Sequence, residues 1–270
     1  MCGRYVIKSR LEIVEKRFEA KAKHPEWYQR SPNVAIGERA PVILNTAPKE
    51  IRFLHFGLTP FWARKRMYII NARSEGNNNK SDDPHYTGGM GILQKPAFRK
   101  PIRSQRCLVI ADAFLEGPKD KRLSEPYVFY PTERKGPFAM AGIWDVWIDP
   151  ASGEEYGSFA IITTVANRLV AAMRHHRSPV VLPPDAEALW LDDSVPLKDI
   201  TALLHPFDSS TFNGYPVSPE LKSPRAKDFE LLRPIGPPLR TEEDYILYQD
   251  IVLEGMGATT GRKRKLDREE

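Results

Sequence analysis

The chain has 270 residues, 41% hydrophobic and 28% charged, with a formal net charge of +5. This suits one large domain or two small ones with a real core, and the mild positive balance permits contact with a phosphate backbone without demonstrating it. No apolar run is long enough to cross a bilayer, Arg4, Lys8 and Arg10 stand where a signal segment would be apolar, and Cys2 and Cys107 are too few for a disulfide framework.

The expectation is a cytoplasmic protein without membrane contact. No group of Cys and His has zinc spacing, and neither a metal nor an organic cofactor is expected. The 24 prolines argue against a helical bundle and for strands joined by turns.

In chain order, Met1-Cys2-Gly3-Arg4 comes first. Removal of Met1 would leave Cys2 with a free α-amine and a thiol on neighbouring carbons. An α-amine of pKa roughly 7.7–8.0 is partly neutral near pH 7 and attacks aldehydes. The thiol can then close on the imine carbon to give a five-membered thiazolidine, which an internal Cys cannot do. An incidental Cys at position 2 is the competing reading.

Residues 3–7 read as a strand and residues 10–22 as a surface helix, with Leu11, Val14 and Phe18 at helical spacing. Ser31-Pro32-Asn33-Val34-Ala35 is turn chemistry leading to a strand at 41–44. Residues 51–56 alternate as a half-buried strand, and Asn45-Thr46-Ala47-Pro48 makes the two a hairpin. Phe56-Gly57-Leu58-Thr59-Pro60-Phe61-Trp62 is a bend. Its two adjacent aromatics cannot both face one core in an extended segment. An exposed aromatic beside Arg64, Lys65 and Arg66 is base-stacking composition; a loop packed by its own aromatics is the alternative.

A strand at 68–70 delivers Asn71-Ala72-Arg73-Ser74-Glu75, which suits a site or a helix cap equally. Residues 76–91 form a long polar loop. Residues 97–106 are basic and read as a short helix facing phosphate or as a solvated face. The buried strand 107–111 delivers Asp112 and Glu116. An acid immediately after a buried strand, here Asp112, would have a raised pKa suited to proton transfer, unless it sits in a wet turn. Further strands fall at 126–130, 138–144 and 158–164. The fold class is therefore α+β: mostly antiparallel strands in a curled sheet or partial barrel, with short peripheral helices.

A helix at 166–173 ends in Arg174-His175-His176-Arg177, where like charge disfavours the imidazolium and leaves a neutral proton acceptor. Helix C-capping is the alternative. A strand at 180–182, helices at 185–191 and 197–204 and a last strand at 215–218 follow. Residues 1–222 are taken as the catalytic domain and 223–270 as a partly flexible extension. That extension has an amphipathic segment at 245–252 and a basic tail at 261–265.

Together these residues resemble the SRAP family (SOS response-associated peptidases, seen as abasic-site-processing proteins). The resemblance rests on Met1-Cys2-Gly3-Arg4, Asn33-Val34-Ala35, Gly57-Leu58 with Pro60 and Trp62, and Asn71-Ala72-Arg73. It continues through Ala111-Asp112 with Phe114 and Glu116, Ile162-Thr163, His175 with Arg177 and Pro179, and Pro216-Val217-Ser218. The chain departs at Ala113-Phe114-Leu115-Glu116-Gly117, where the family usually has GFYEW, and at Phe56, where a Trp often precedes the Gly.

The resemblance implies a sensor of abasic sites in single-stranded DNA that forms a covalent thiazolidine crosslink through Cys2. It further implies autopeptidase removal of Met1 and β-elimination (lyase) activity. Cys2, Asn71, Glu116 and His175 would be catalytic. Arg4, Arg73 and Arg177 would hold phosphates, Trp62 would stack beside the lesion, and Thr163 would join the DNA contacts. A monomer bound to the nucleoid while on DNA is expected. The competing functions are a thiol peptidase acting on other proteins and a non-catalytic single-stranded DNA-binding module.

Overall fold

The computed structural model describes residues 3–133, 136–241, 249, 251 and 252. Met1, Cys2 and the basic tail at 261–265 lie outside the described residues, as does most of the amphipathic segment expected at 245–252.

The first strand, β1 (Arg4–Ile7), buries Tyr5, Val6 and Ile7. Helix α1 (Leu11–Phe18) is shorter than expected. Glu19 turns left-handed at φ 48° and ends it. After the two-residue β2 (Lys21–Ala22) comes β3 (Ser31–Val34), where sequence chemistry suggests a turn. A strand forms because β3 lies at a sheet edge and pairs irregularly with β1, so Pro32 is tolerated. The Asn33 side chain donates to the carbonyls of Leu221 (3.0 Å) and Ser223 (2.8 Å) instead of turning the chain locally.

The expected hairpin is β4 (Arg39–Leu44) with β5 (Ala47–Phe56). β6 (Asn71–Arg73) begins beyond the strand expected at 68–70, since its parallel partner reaches only Asn71 to Arg73. Next come α2 (Pro101–Ser104), β7 (Arg106–Ala111), β8 (Ala113–Glu116) and β9 (Tyr127–Pro131). The long pair β10 (Phe138–Ile148) and β11 (Glu155–Val165) follows, then α3 (Arg168–Ala172), β12 (Arg177–Pro179) and β13 (Val181–Leu182). Helices α4 (Pro184–Leu191) and α5 (Leu197–Ala202) and strand β14 (Phe212–Pro216) complete the order.

Strands β11, β10, β7, β4 and β5 are neighbours in that order, and a parallel pairing of Ser158 with His55 and Phe159 with Phe56 closes them into a barrel. Phe56 and Phe159 stack inside it at 5.4 Å, with Tyr5 edge-on to Phe56. Each such aromatic contributes about 1.5–3 kcal/mol by its burial. Cys107 is a buried barrel residue whose thiol burial pushes far up in pKa. A second sheet, β14-β9-β8-β1-β3, is wholly antiparallel. The mostly antiparallel α+β architecture with short helices is the one read from the sequence.

Asp112 sits where the chain leaves the barrel for the second sheet. Its carboxylate accepts from the N–H groups of Lys8 (2.7 Å) and Ser9 (2.9 Å) and from the Ser9 hydroxyl (2.6 Å). This acid joins the two sheets.

The extension expected from residue 223 is docked as far as residue 241. Leu232 is buried against the second sheet, Tyr215 Oη donates to its carbonyl (3.1 Å), and the Leu239 N–H reaches Gly214 (2.7 Å). Among the described residues no helix is long and apolar enough to cross a membrane.

Candidate functional site

Three strand ends build the site. β1 and β8 are antiparallel, with Arg4 opposite Leu115 and Tyr5 opposite Phe114. One further step in that register sets Gly3 opposite Glu116, and Gly3 is the residue bonded to Cys2. Glu116 is 5% exposed, and burial raises its carboxyl pKa.

His175 arrives from the other side. The Asn167 side chain accepts from the Val170 N–H (3.0 Å) and starts α3, and Arg174 then reverses the chain at a left-handed φ of 62°. That conformation costs a non-glycine residue of order 1–3 kcal/mol and is characteristic of functional turns. His175 is 5% exposed, and burial lowers its pKa to about 3, against an opposing contribution from the Gly117 backbone.

The Nε2 of His175 stands 3.6 Å from Oε2 of Glu116. At that separation two charges would form an ion pair, but burial works against both charged forms. Burial thus shifts both groups toward their uncharged forms, raising the carboxyl pKa of Glu116 and lowering that of His175 to about 3. The 3.6 Å separation is longer than a direct hydrogen bond.

Gly117 closes this corner. A Cβ there would lie 1.7 Å from the Arg122 carbonyl oxygen, so only glycine fits. The backbone carbonyls of Arg122 and Glu125 occupy the space a side chain there would enter.

A second cluster lies where β6 and β12 flank β11. β6 sets Asn71 beside Ile161 and Arg73 beside Thr163, and β12 sets Arg177 opposite Val165. Arg177 forks onto Glu75 (3.1 and 2.9 Å) and donates to the Thr163 carbonyl (2.8 Å). Burial alone would raise the Glu75 pKa, but the Arg177 fork outweighs it and holds the carboxyl below the usual range. Asp82, from the loop at 76–91, accepts from Arg73 (2.7 Å), lies 3.4 Å from Arg177 Nη1, and has Oδ2 3.6 Å from His176 Nε2. Burial lowers the His176 pKa and Asp82 opposes it.

Two expected DNA contacts thus stand apart from any solvent-facing surface. The Arg177 side chain is 1% exposed and Thr163 is wholly buried. The reason is electrostatic: Glu75 offers the guanidinium a desolvated bidentate partner, which a phosphate in water would have to displace. Arg73 keeps a third of its side chain exposed, and Arg4 is half-buried, its pKa lowered by burial against the pull of Glu38.

Phe61 and Trp62 are both exposed, at 53% and 48%. Adjacent positions of an extended segment need leave only one of them outside. The loop is pinned from behind by the Trp147 indole N–H on the Ala63 carbonyl (2.7 Å) and by Gly57 at φ 118°, where a Cβ would meet Tyr68 at 3.2 Å.

The family profile of the SOS response associated peptidases (SRAP) matches residues 1–224. The chain belongs to the SRAP family. Over 242 residues it is 32% identical to the abasic site processing protein YoqW of Bacillus subtilis strain 168, covering 86% of this chain and 99% of that one. It is 28% identical over 275 residues to the abasic site processing protein HMCES of Gallus gallus, covering 87% and 78%. A crystal structure of a Bacteroides thetaiotaomicron protein superposes with a TM-score of 0.72 at 27% identity, covering 87% of this chain and all of that one.

Against this SRAP framework the structure brings Glu116 and His175 together beside the start of β1, and groups Asn71, Arg73, Thr163 and Arg177 around β11. Glu75 and Asp82 are the residues that sequence reasoning misses. Glu75 carries a signal in hindsight, because an acid two residues after Arg73 on a strand end needs a cation. Asp82 carries none, because nothing in a polar loop says which acid folds back. Among the described residues no cluster of three or more His, Cys, Asp or Glu could hold a metal.

Proposed function

We propose that this chain processes abasic sites in single-stranded DNA by capturing the ring-opened sugar aldehyde on Cys2 once Met1 is removed. The observation that carries the reading is the buried Glu116–His175 pair, 3.6 Å apart, beside the residue that follows Cys2 in the chain. The names of the relatives support the same substrate.

The neutral α-amine of Cys2 adds to C1′ and forms a carbinolamine. Glu116, as the acid, protonates the departing hydroxyl, which leaves as water, and the resulting carboxylate takes the proton released by the amine. The Cys2 sulfur then adds to the imine carbon. Its proton passes through His175 to the imine nitrogen, and the thiazolidine closes with the net loss of one water. Burial shifts each group in the direction its role needs, the acid up and the base down.

Asn71 orients the opened sugar, Arg4 and Arg73 hold flanking phosphates, and Trp62 stacks on a neighbouring base. Arg177 and Thr163 act from behind by fixing Glu75 and β12. An imine also acidifies C2′. His175 can take that proton while the 3′ phosphate leaves, which is the lyase reaction. Removal of Met1 by the same acid–base pair is the peptidase reaction.

The test is a heat-stable gel shift on denaturing electrophoresis. It is expected with an oligonucleotide carrying one abasic site, absent with undamaged DNA and lost in Cys2→Ala. Cleavage of an unrelated peptide that depends on Cys2, with no shift, would instead favour a thiol peptidase.

A further inference from the structure

We infer that the face formed by the Phe61–Trp62 loop and α2 is a second nucleic-acid contact: a track for the sugar–phosphate strand running out of the site. The inference rests on the single-stranded DNA reading above and extends it from Trp62 to Phe61, Arg99, Lys100 and Arg103, which that reading does not use. Its first basis is charge. Residues 57–74 and 91–111 contain no Asp or Glu, yet hold Arg64, Lys65, Arg66, Arg99, Lys100 and Arg103, all exposed. An open groove of about 540 Å³ runs between Leu93 and Arg103 on this face.

The second basis is rigidity. One buried carboxylate, Asp145 on β10, accepts from the Phe61 N–H (2.9 Å) and from the Gln105 side chain (3.1 Å), and so locks the aromatic loop beside the end of α2. Lys100 Nζ lies 4.5 Å from the centre of the Phe61 ring. An aromatic face and a cation are thereby presented side by side without ordering cost at the moment of binding.

The third basis is continuity. The Ile92 N–H bonds the Ser74 carbonyl (3.1 Å), one residue beyond Arg73, and Arg103 Nη1 reaches the Leu93 carbonyl (3.2 Å). Hydrogen bonds therefore connect the phosphate-holding end of β6 to Arg103, and from there the surface reaches Lys100, Phe61 and Trp62. A polyanion bearing planar groups fits this arrangement, with phosphates on Arg99, Lys100 and Arg103 and a base on Phe61.

The experiment measures equilibrium binding of undamaged oligothymidylate across a salt series by anisotropy. The variants are Lys100→Gln/Arg103→Gln, Phe61→Ala and, as a control of equal type, Lys49→Gln. Lys49 lies about seven strand residues, roughly 23 Å, from Phe56 along β5. Thermal melts establish that each variant is folded, and adduct formation with an abasic oligonucleotide at saturating protein is read in parallel.

The expected result is a log–log salt slope shallower by roughly 1.4 in the double variant, about 0.7 for each lost phosphate contact. Phe61→Ala should bind roughly ten-fold more weakly at unchanged slope. Lys49→Gln should behave as wild type, and adducts should still form in all. An unchanged slope in the double variant overturns the track, as does an equal change in Lys49→Gln or equally tight binding of polyglutamate. Intact adduct formation alongside such a result leaves the Cys2 reading standing. A wild type that binds oligothymidylate through these residues but never forms an adduct keeps the track and removes that reading.

Discussion

Two buried acid–base pairs lie on neighbouring strand ends, and burial treats them in opposite ways. Glu116 and His175 are 3.6 Å apart and both are driven toward neutrality. Glu75 and Arg177 touch through two hydrogen bonds of 3.1 and 2.9 Å, and both stay charged. The difference is the partner. A guanidinium cannot give up its proton and meets a carboxylate with two parallel N–H groups, so the charged pair survives desolvation. An imidazole gives up its proton easily, so desolvation wins. One pair is thus available for proton transfer and the other serves as a fixed strut, although both read as an acid and a base in sequence.

Breaking the strut should have the largest effect. Glu75→Ala leaves Arg177 buried without its fork and is expected to cost about 3–5 kcal/mol, read as a loss of denaturant midpoint. Glu116→Gln should do the reverse: crosslinking slows by roughly a hundred-fold or more while stability at neutral pH holds or rises. A Glu116→Gln variant that crosslinks at the wild-type rate would remove the acid from the mechanism.

Melting temperature against pH sharpens the contrast. His175 is neutral in the fold with a pKa near 3, while the unfolded chain takes up a proton near the ordinary 6.5, so stability falls as pH drops through that window. Glu75 has a lowered pKa, and its contribution is present above the ordinary 4.5 and lost as pH falls below it. Glu116 has the opposite sign: its raised pKa favours the fold at low pH and the benefit disappears as pH rises past 4.5. Glu116→Gln should therefore flatten the alkaline side of the curve, and His175→Gln the acid side.

Asp82 gives the smallest effect. Its carboxylate sits on Arg73 and beside Arg177, where an incoming phosphate would compete with it. Asp82→Asn is expected to tighten oligothymidylate binding by roughly two- to five-fold at low salt, the size of one partly exposed ion pair. No change would mean that the loop moves aside without an electrostatic penalty.

Much of this was legible in the sequence. The β4–β5 hairpin followed from alternation and turn residues, His175 stood out in a histidine pair flanked by arginines, and Glu116 was singled out by the resemblance; the structure sets those two 3.6 Å apart. The Asn33 segment was misread because its side-chain partners, the carbonyls of Leu221 and Ser223, are far away in the chain. The burial of Arg177 was hidden for the same reason. Its exposure depends on Glu75 and on the fold of β6 against β11, and local composition carries neither. Gly117 departs from the motif of the resemblance, and the Arg122 carbonyl, 1.7 Å from where its Cβ would lie, is a long-range reason that local sequence does not carry.

The most direct test of the central claim is the intact mass of the purified protein after mixing with a single-stranded oligonucleotide bearing one abasic site. The account expects the mass of the chain without Met1, plus the oligonucleotide, minus one water, with the linkage mapping to Cys2. A covalent product that retains Met1, or one that maps to a lysine and persists in Cys2→Ala, would contradict it.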